Sequence, residues 1–249
     1  QGFDITGEQP FNNDYIYLAV LLALLLALLY GLLFLKRGRI GREKLCSALV
    51  IAAAACFVSV PMFQMQIFRA SEMAFYFSAA EGIKDAWKSG QFPALVYPYA
   101  WNGYGGSAAQ FPVLFLYPAA FLRMMGVSLL AAYKSLLFTV NLGTGAIAYF
   151  SANRLFRQNR KAALLFSVLY LTAFYRITVL WGRSDLGELL GLAFLPLIAA
   201  GLYELLAGDR RKWWYLAVGY GGLLQCHIPA LLIAGFFSLF VGLCYIDVF

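Results

Sequence analysis

Residues 66–110 read QIFRASEMAFYFSAAEGIKDAWKSGQFPALVYPYAWNGYGGSAAQ. Apolar runs flank this stretch on both sides, in a chain that is 62% hydrophobic and only 12% charged, with a mean hydropathy of +0.73. A polar segment of this length between two membrane-length runs must lie on one side of a bilayer. It mixes carboxylates, lysines, aromatics and a Gly-Tyr-Gly-Gly turn, which are the materials of a site more than of a connector.

Working outward, apolar runs of about 20 residues recur, the length that crosses a hydrocarbon core of roughly 30 Å. The expected class is an all-α, polytopic transmembrane protein, since a membrane barrel would show short alternating segments instead. Seven spans can be placed, near residues 15–35, 45–65, 129–151, 162–180, 186–206, 213–225 and 230–246. Three basic clusters, KRGRIGREK (36–44), NRLFRQNRK (153–161) and GDRRK (208–212), fall at alternate connections. The positive-inside rule therefore makes all three cytoplasmic at once. The N-terminus, the long loop, the WGRSDLGE turn (181–188) and the QCHIP turn (225–229) then share the extracytoplasmic side. The expected localisation is a multi-pass protein of a cell membrane. The net charge of +7 belongs to the cytoplasmic loops and does not point to nucleic acid.

Residues 111–125, FPVLFLYPAAFLRMM, are apolar but short, with two prolines and Arg123. If this segment spanned, every later loop would change sides, so we expect a re-entrant or interfacial helix under the long loop, which then runs to about residue 128. Within that loop, residues 71–88 have helical logic. Ser71 can cap, Glu72 suits the first turn, and Phe75, Ala79, Gly82, Ile83, Ala86 and Trp87 form one apolar stripe. Gly90 stops the helix. The expectation is an amphipathic helix in the headgroup region. With no repeat or linker, residues 1–249 form a single transmembrane domain. The first residue is Gln and the last are CYIDVF, so a processed, engineered or incomplete start and a truncated C-terminus are expected. The four cysteines show no paired spacing and read as small hydrophobes.

Candidate chemistry gathers at the outer side. Glu72, just past the second span, sits where a lipid-linked substrate presents its head group and could act as a general base. A glutamate there also simply complements a helix dipole. Asp185 and Glu188 are three apart on one helix face, with Arg183 just before them. They could bind a phosphate through Arg183, hold a divalent metal through the carboxylates, or pair with one another. Arg176 lies one to two turns inside the fourth span, where a charge needs a partner or a cavity. His227, the single histidine, could hydrogen-bond a phosphate or cap a turn. No Walker loop, GxGxxG, HExxH or GxSxG sequence occurs, which leaves soluble NTPase, dinucleotide, zinc-protease and serine-hydrolase classes without support.

A span followed by an external acid, a helix ending in WKSGQFP (87–93), the RSDLGE run (183–188) and CHIP (226–229) together resemble membrane glycosyltransferases of the GT-C superfamily. Nearer still, the pattern is similar to bacterial YfhO-like and 6-pyruvoyl-tetrahydropterin-synthase-related membrane proteins. The resemblance covers about residues 45–249 through short motifs. It implies a polyprenyl-phosphate-linked sugar donor, membrane lipids as surroundings, and Glu72 as catalytic base. Arg183, with Arg176 and His227, would hold the donor phosphate, and Tyr99, Trp101 and Tyr104 would border the sugar. The family more often has Asp at the base position, with His four and Arg seven residues later. Tyr76 and Ala79 stand there in this chain, with Tyr76 kept as a substrate-side candidate. That departure keeps two alternatives open, a lipid or solute transporter and a non-catalytic subunit working with a partner in an envelope-polymer assembly complex.

The topology is directly testable. Single cysteines in KRGRIGREK and NRLFRQNRK should be shielded from an impermeant thiol reagent applied outside, while a cysteine at Gly105 should be labelled. Labelling of both basic loops from outside would reject the arrangement.

Overall fold

The computed structural model describes residues 42–63, 72–97, 99, 106–107 and 114–245. The first expected span, residues 15–35, lies outside them. The described chain is helical apart from a two-residue antiparallel ladder of β1 (Val96–Tyr97) and β2 (Gly106–Ser107). In order the main helices are α1 (Arg42–Val58), α2 (Met73–Lys88), α3 (Tyr117–Met124), α4 (Leu129–Leu155), α5 (Arg160–Leu171), α6 (Phe174–Ile177), α7 (Leu186–Ala207), α8 (Trp214–Leu224) and α9 (Ile228–Cys244). A π-helical segment, Thr178–Arg183, continues α6.

α4 is the central post. It packs against α1, α3, α5 and α7, and buries Tyr133, Leu136, Leu137, Asn141, Thr144 and Ala148 along its length. Its start is capped by Ser128, whose hydroxyl accepts the Ala131 N–H at 3.2 Å. Asn159 opens α5 in the same way, accepting from Ala162 N at 3.2 Å. α4 and α7, at 27 and 22 residues, are long and apolar enough to cross a membrane. α5 with the α6–π segment makes a third candidate, bent by 42° at its break. α1 and α9 are shorter apolar helices. α8, expected as a full span, has 11 residues; at 1.5 Å each it rises about 16 Å, half of a hydrocarbon core. Its length is set by the basic 3-10 turn Arg210–Lys212 before it and the His227 cap after it.

α3 has eight residues, preceded by a 3-10 turn at Leu114–Leu116, and is too short to cross. It lies against α2 and the start of α4, as expected for a helix beneath the loop. α2 itself differs from expectation. It starts at Met73 with Glu72 in the N-cap position, and Gly90 ends it with φ +78. Residues 77–83 are all buried, so two turns are enclosed by protein on every side instead of along one apolar stripe. The reason is Arg123. From α3 it bonds the buried Glu81 carboxylate and donates to Val127 O at 2.7 Å, and Lys84 completes the cluster. Glu81 is thus a buried counter-ion.

The two ends of the bundle differ. At one end Glu204 of α7 accepts from Lys212 at 3.2 Å and from Asp209 N at 2.9 Å, with Arg154 at 4.0 Å. NRLFRQNRK and GDRRK therefore meet on one carboxylate. The start of α2, the Arg183–Glu188 turn and the Cys226 turn gather at the other end.

α7 and α8 approach closely through glycine. A Cβ on Gly201 would sit 2.8 Å from the Leu216 backbone N, whereas one on Gly221 meets nothing within 4 Å. Gly201→Ala should lower stability by about 1–3 kcal/mol through overpacking, and Gly221→Ala should not. Thermal unfolding of the two variants in detergent reads the difference.

Candidate functional site

Asp185 builds the site. It leaves the π segment at Ser184, whose φ of +50 turns the chain sharply, and it caps α7 by accepting the Glu188 N–H on Oδ1 at 3.0 Å. The same oxygen accepts the Tyr76 hydroxyl at 2.8 Å. The Tyr76 oxygen in turn accepts the Gly187 N–H at 2.8 Å. One phenol thus satisfies a first-turn amide of α7 and grips its cap. A Cβ on Gly187 would stand 2.9 Å from that hydroxyl and 2.7 Å from Cys226 O. Glycine is what lets three segments meet here. Burial, then the charge of Asp185 and the bond to it, hold the Tyr76 hydroxyl well above the ordinary phenol range.

Arg183 is half exposed and faces both acids. Its Nη1 donates to Glu188 Oε2 at 2.7 Å, and its Nη2 lies 3.5 Å from Asp185 Oδ2. Tyr175 also bonds Glu188 through the other carboxylate oxygen. The Arg183 carbonyl receives the Glu72 N–H at 3.5 Å, joining the loop helix to this turn. Tyr133, buried on α4, supports the turn from beneath by donating to Ser184 O at 3.2 Å. The half-buried Glu72 carboxylate makes no hydrogen bond or ion pair among the described residues.

The other sequence candidates separate. His227 caps α9, its Nδ1 accepting from Ala230 N at 3.1 Å, which puts the ring proton on Nε2 when the imidazole is neutral. Arg176 is 2% exposed and turns inward, to Asn141 Oδ1 at 2.6 Å, Leu171 O at 3.3 Å and Thr144 Oγ1 at 3.5 Å. It does not join Arg183 at a shared phosphate position, because the break at residue 172 directs it toward α4. Tyr99 donates to Asp85 at 2.8 Å, near the far end of α2 and about 20 Å along it from Glu72. It therefore stands apart from the Arg183 cluster. Trp101 and Tyr104 lie outside the described residues. Tyr133, Tyr175 and Gly187 were missed by sequence reasoning. Gly187, inside SDLGE, was the one with a signal, a glycine in the first turn of a capped helix.

Among the described residues no three His, Cys, Asp or Glu side chains converge as metal ligands. Asp185 Oδ1 already takes two donors, and Glu188 is held at both oxygens. A crevice bounded by Tyr76, Phe115, Leu186, Gly187, Leu190 and Cys226 has room for about one water molecule. Burial pushes the Cys226 thiol at its edge up to about 12, which leaves it unreactive. No protein-family model, curated protein or solved structure matches this chain.

Tyr76→Phe keeps the ring and removes the bridge, leaving Asp185 and Gly187 N each short of a partner. It should lower stability by about 1–3 kcal/mol. Because the folded pKa is raised, the bridge contributes fully below about pH 10, the unfolded phenol value, and is lost above it. Unfolding of wild type and Tyr76→Phe should therefore differ at pH 7 and converge as the pH rises beyond 10.

Proposed function

We propose that the protein is a glycosyltransferase-like membrane protein. It would transfer a sugar from a polyprenyl-phosphate donor to an envelope acceptor on the extracytoplasmic face of a bacterial plasma membrane. The reading includes the seven-span GT-C-like architecture, with the N-terminus and residues 66–128 outside. The observation that carries it is the placement of Glu72. Glu72, whose carboxylate has no hydrogen bond among the described residues, donates its backbone N–H to Arg183 O at 3.5 Å, at the bundle end opposite Arg154 and Lys212.

In this reading Glu72 takes the proton from the acceptor hydroxyl, whose oxygen attacks the anomeric carbon. The bond to the donor phosphate breaks on the opposite face, with inversion. The phosphate leaves with the bonding pair, and Arg183 holds it by charge-assisted bonds. Arg183 must first exchange Glu188 for the phosphate, and its 50% side-chain exposure supports that exchange. Nε2 of His227 remains as a further donor. Tyr76 acts by holding Asp185 and the start of α7 in place.

One observation favours a second reading, a non-catalytic subunit of an envelope-polymer complex. Arg183 is already faced by two carboxylates, and the crevice between Tyr76, Gly187 and Cys226 takes about one water molecule.

Mutants separate the two. Glu72→Gln should keep the fold and lower turnover of a polyprenyl-phosphate sugar by about 10²–10⁴-fold, the scale of general-base loss. Glu72→Asp should be milder. Arg183→Ala should weaken donor binding by roughly 1.5–3 kcal/mol. Wild-type turnover in Glu72→Gln would sink the transferase reading.

A further inference from the structure

The third candidate span is broken at Thr172–Ala173, and Arg176 sits one turn beyond the break. Its guanidinium reaches back to Leu171 O, the last carbonyl of α5, and across to Asn141 and Thr144 of α4. Asn141 continues the chain of bonds, donating to Ser59 Oγ at 2.9 Å just past α1. One side chain thus ties the broken helix to two neighbours. No carboxylate pairs with Arg176 among the described residues, and its buried Nε has no partner. A cation this deep is costly, so its retention needs a reason beyond filling space.

The reason lies seven residues on. The π segment runs without interruption from α6 to Arg183, and Trp181 within it donates to Val58 O at 3.2 Å. Each end of this strut is held, by Arg176 at the break and by Tyr133 and Glu72 at the turn. We propose that Arg176 is the positioning residue of the outer site. It fixes the broken span against α4 and so sets where Arg183 stands. The planar guanidinium is required because it donates to two helices at once, which a lysine ammonium on a shorter reach does not reproduce. The structural part stands on geometry alone; its consequence for a donor phosphate rests on the proposed role of Arg183.

The test uses the whole chain in detergent. Arg176→Lys keeps the charge and breaks the fork, and Asn141→Leu removes the anchor while leaving Arg176 in place. Hydrogen exchange by mass spectrometry should show amides 178–184 exchanging about tenfold faster or more in both variants, with α4 and α7 within roughly twofold of wild type. Unchanged exchange at 178–184 overturns the proposal. Exchange that rises throughout the bundle, or failure of both variants to fold, overturns it too, since the residue would then serve the whole core. In turnover of polyprenyl-phosphate sugars, Arg176→Lys should raise donor KM about tenfold with kcat nearly unchanged. A fall in kcat at constant KM counts against positioning. If wild type turns over none of these donors, the transferase reading fails while the exchange result still decides the role of Arg176.

Discussion

A buried carboxylate in a helical bundle must be met by donors, and at Asp185 that requirement organises one end of the bundle. The group starts α7 by capping it, receives the phenol of Tyr76 from the loop helix, and faces Arg183 across the turn. The starts of α7 and α2 are therefore located by the same oxygen atom. Moving the cap would move the loop, and a bulkier residue at Gly187 would separate both from the Cys226 turn. Within the long polar segment α2 is held as part of the bundle, with residues 77–83 enclosed and Glu81 among them paired to Arg123.

Polar groups are placed at three levels, each satisfied differently. At the basic end Glu204 collects Arg154, Lys212 and a backbone amide, which ties together loops that follow different helices. In the interior, the Ser59–Asn141–Arg176 chain uses amide and carbonyl dipoles in place of an opposite charge. At the Asp185 end, Arg183 meets two full negative charges. Exposure accounts for the gradient. Ion pairs near the bundle ends keep contact with water, while a pair in the middle would lose the hydration of two ions at once.

On the proposed reading, electrostatics at the outer end make donor binding an exchange. Asp185 and Glu188 both face the Arg183 guanidinium, so a phosphate reaches Arg183 by displacing Glu188. Tyr175 gives the displaced carboxylate a place to stay. The arrangement would disfavour simple anions in bulk water and admit a phosphate whose lipid tail and sugar add binding of their own.

The sequence by itself determined the helical class, the extents of α4 and α7, the short helix of residues 117–124, the stop at Gly90 and the grouping of Glu72, Arg183 and His227 at one end of the bundle. These features follow from apolar length, capping residues and the spacing of basic loops, which act locally along the chain. It did not show the break at residue 172, since TAFYRIT carries no proline or glycine to announce one. Nor did it show that Glu81 is buried, that Tyr99 turns to Asp85, or that Arg176 faces α4. Tyr76 was read as a substrate-side residue standing where a histidine was expected, yet its hydroxyl joins segments more than a hundred residues apart. Such pairings leave no periodic trace. They depend on which helix face meets which neighbour, and only packing the bundle decides that.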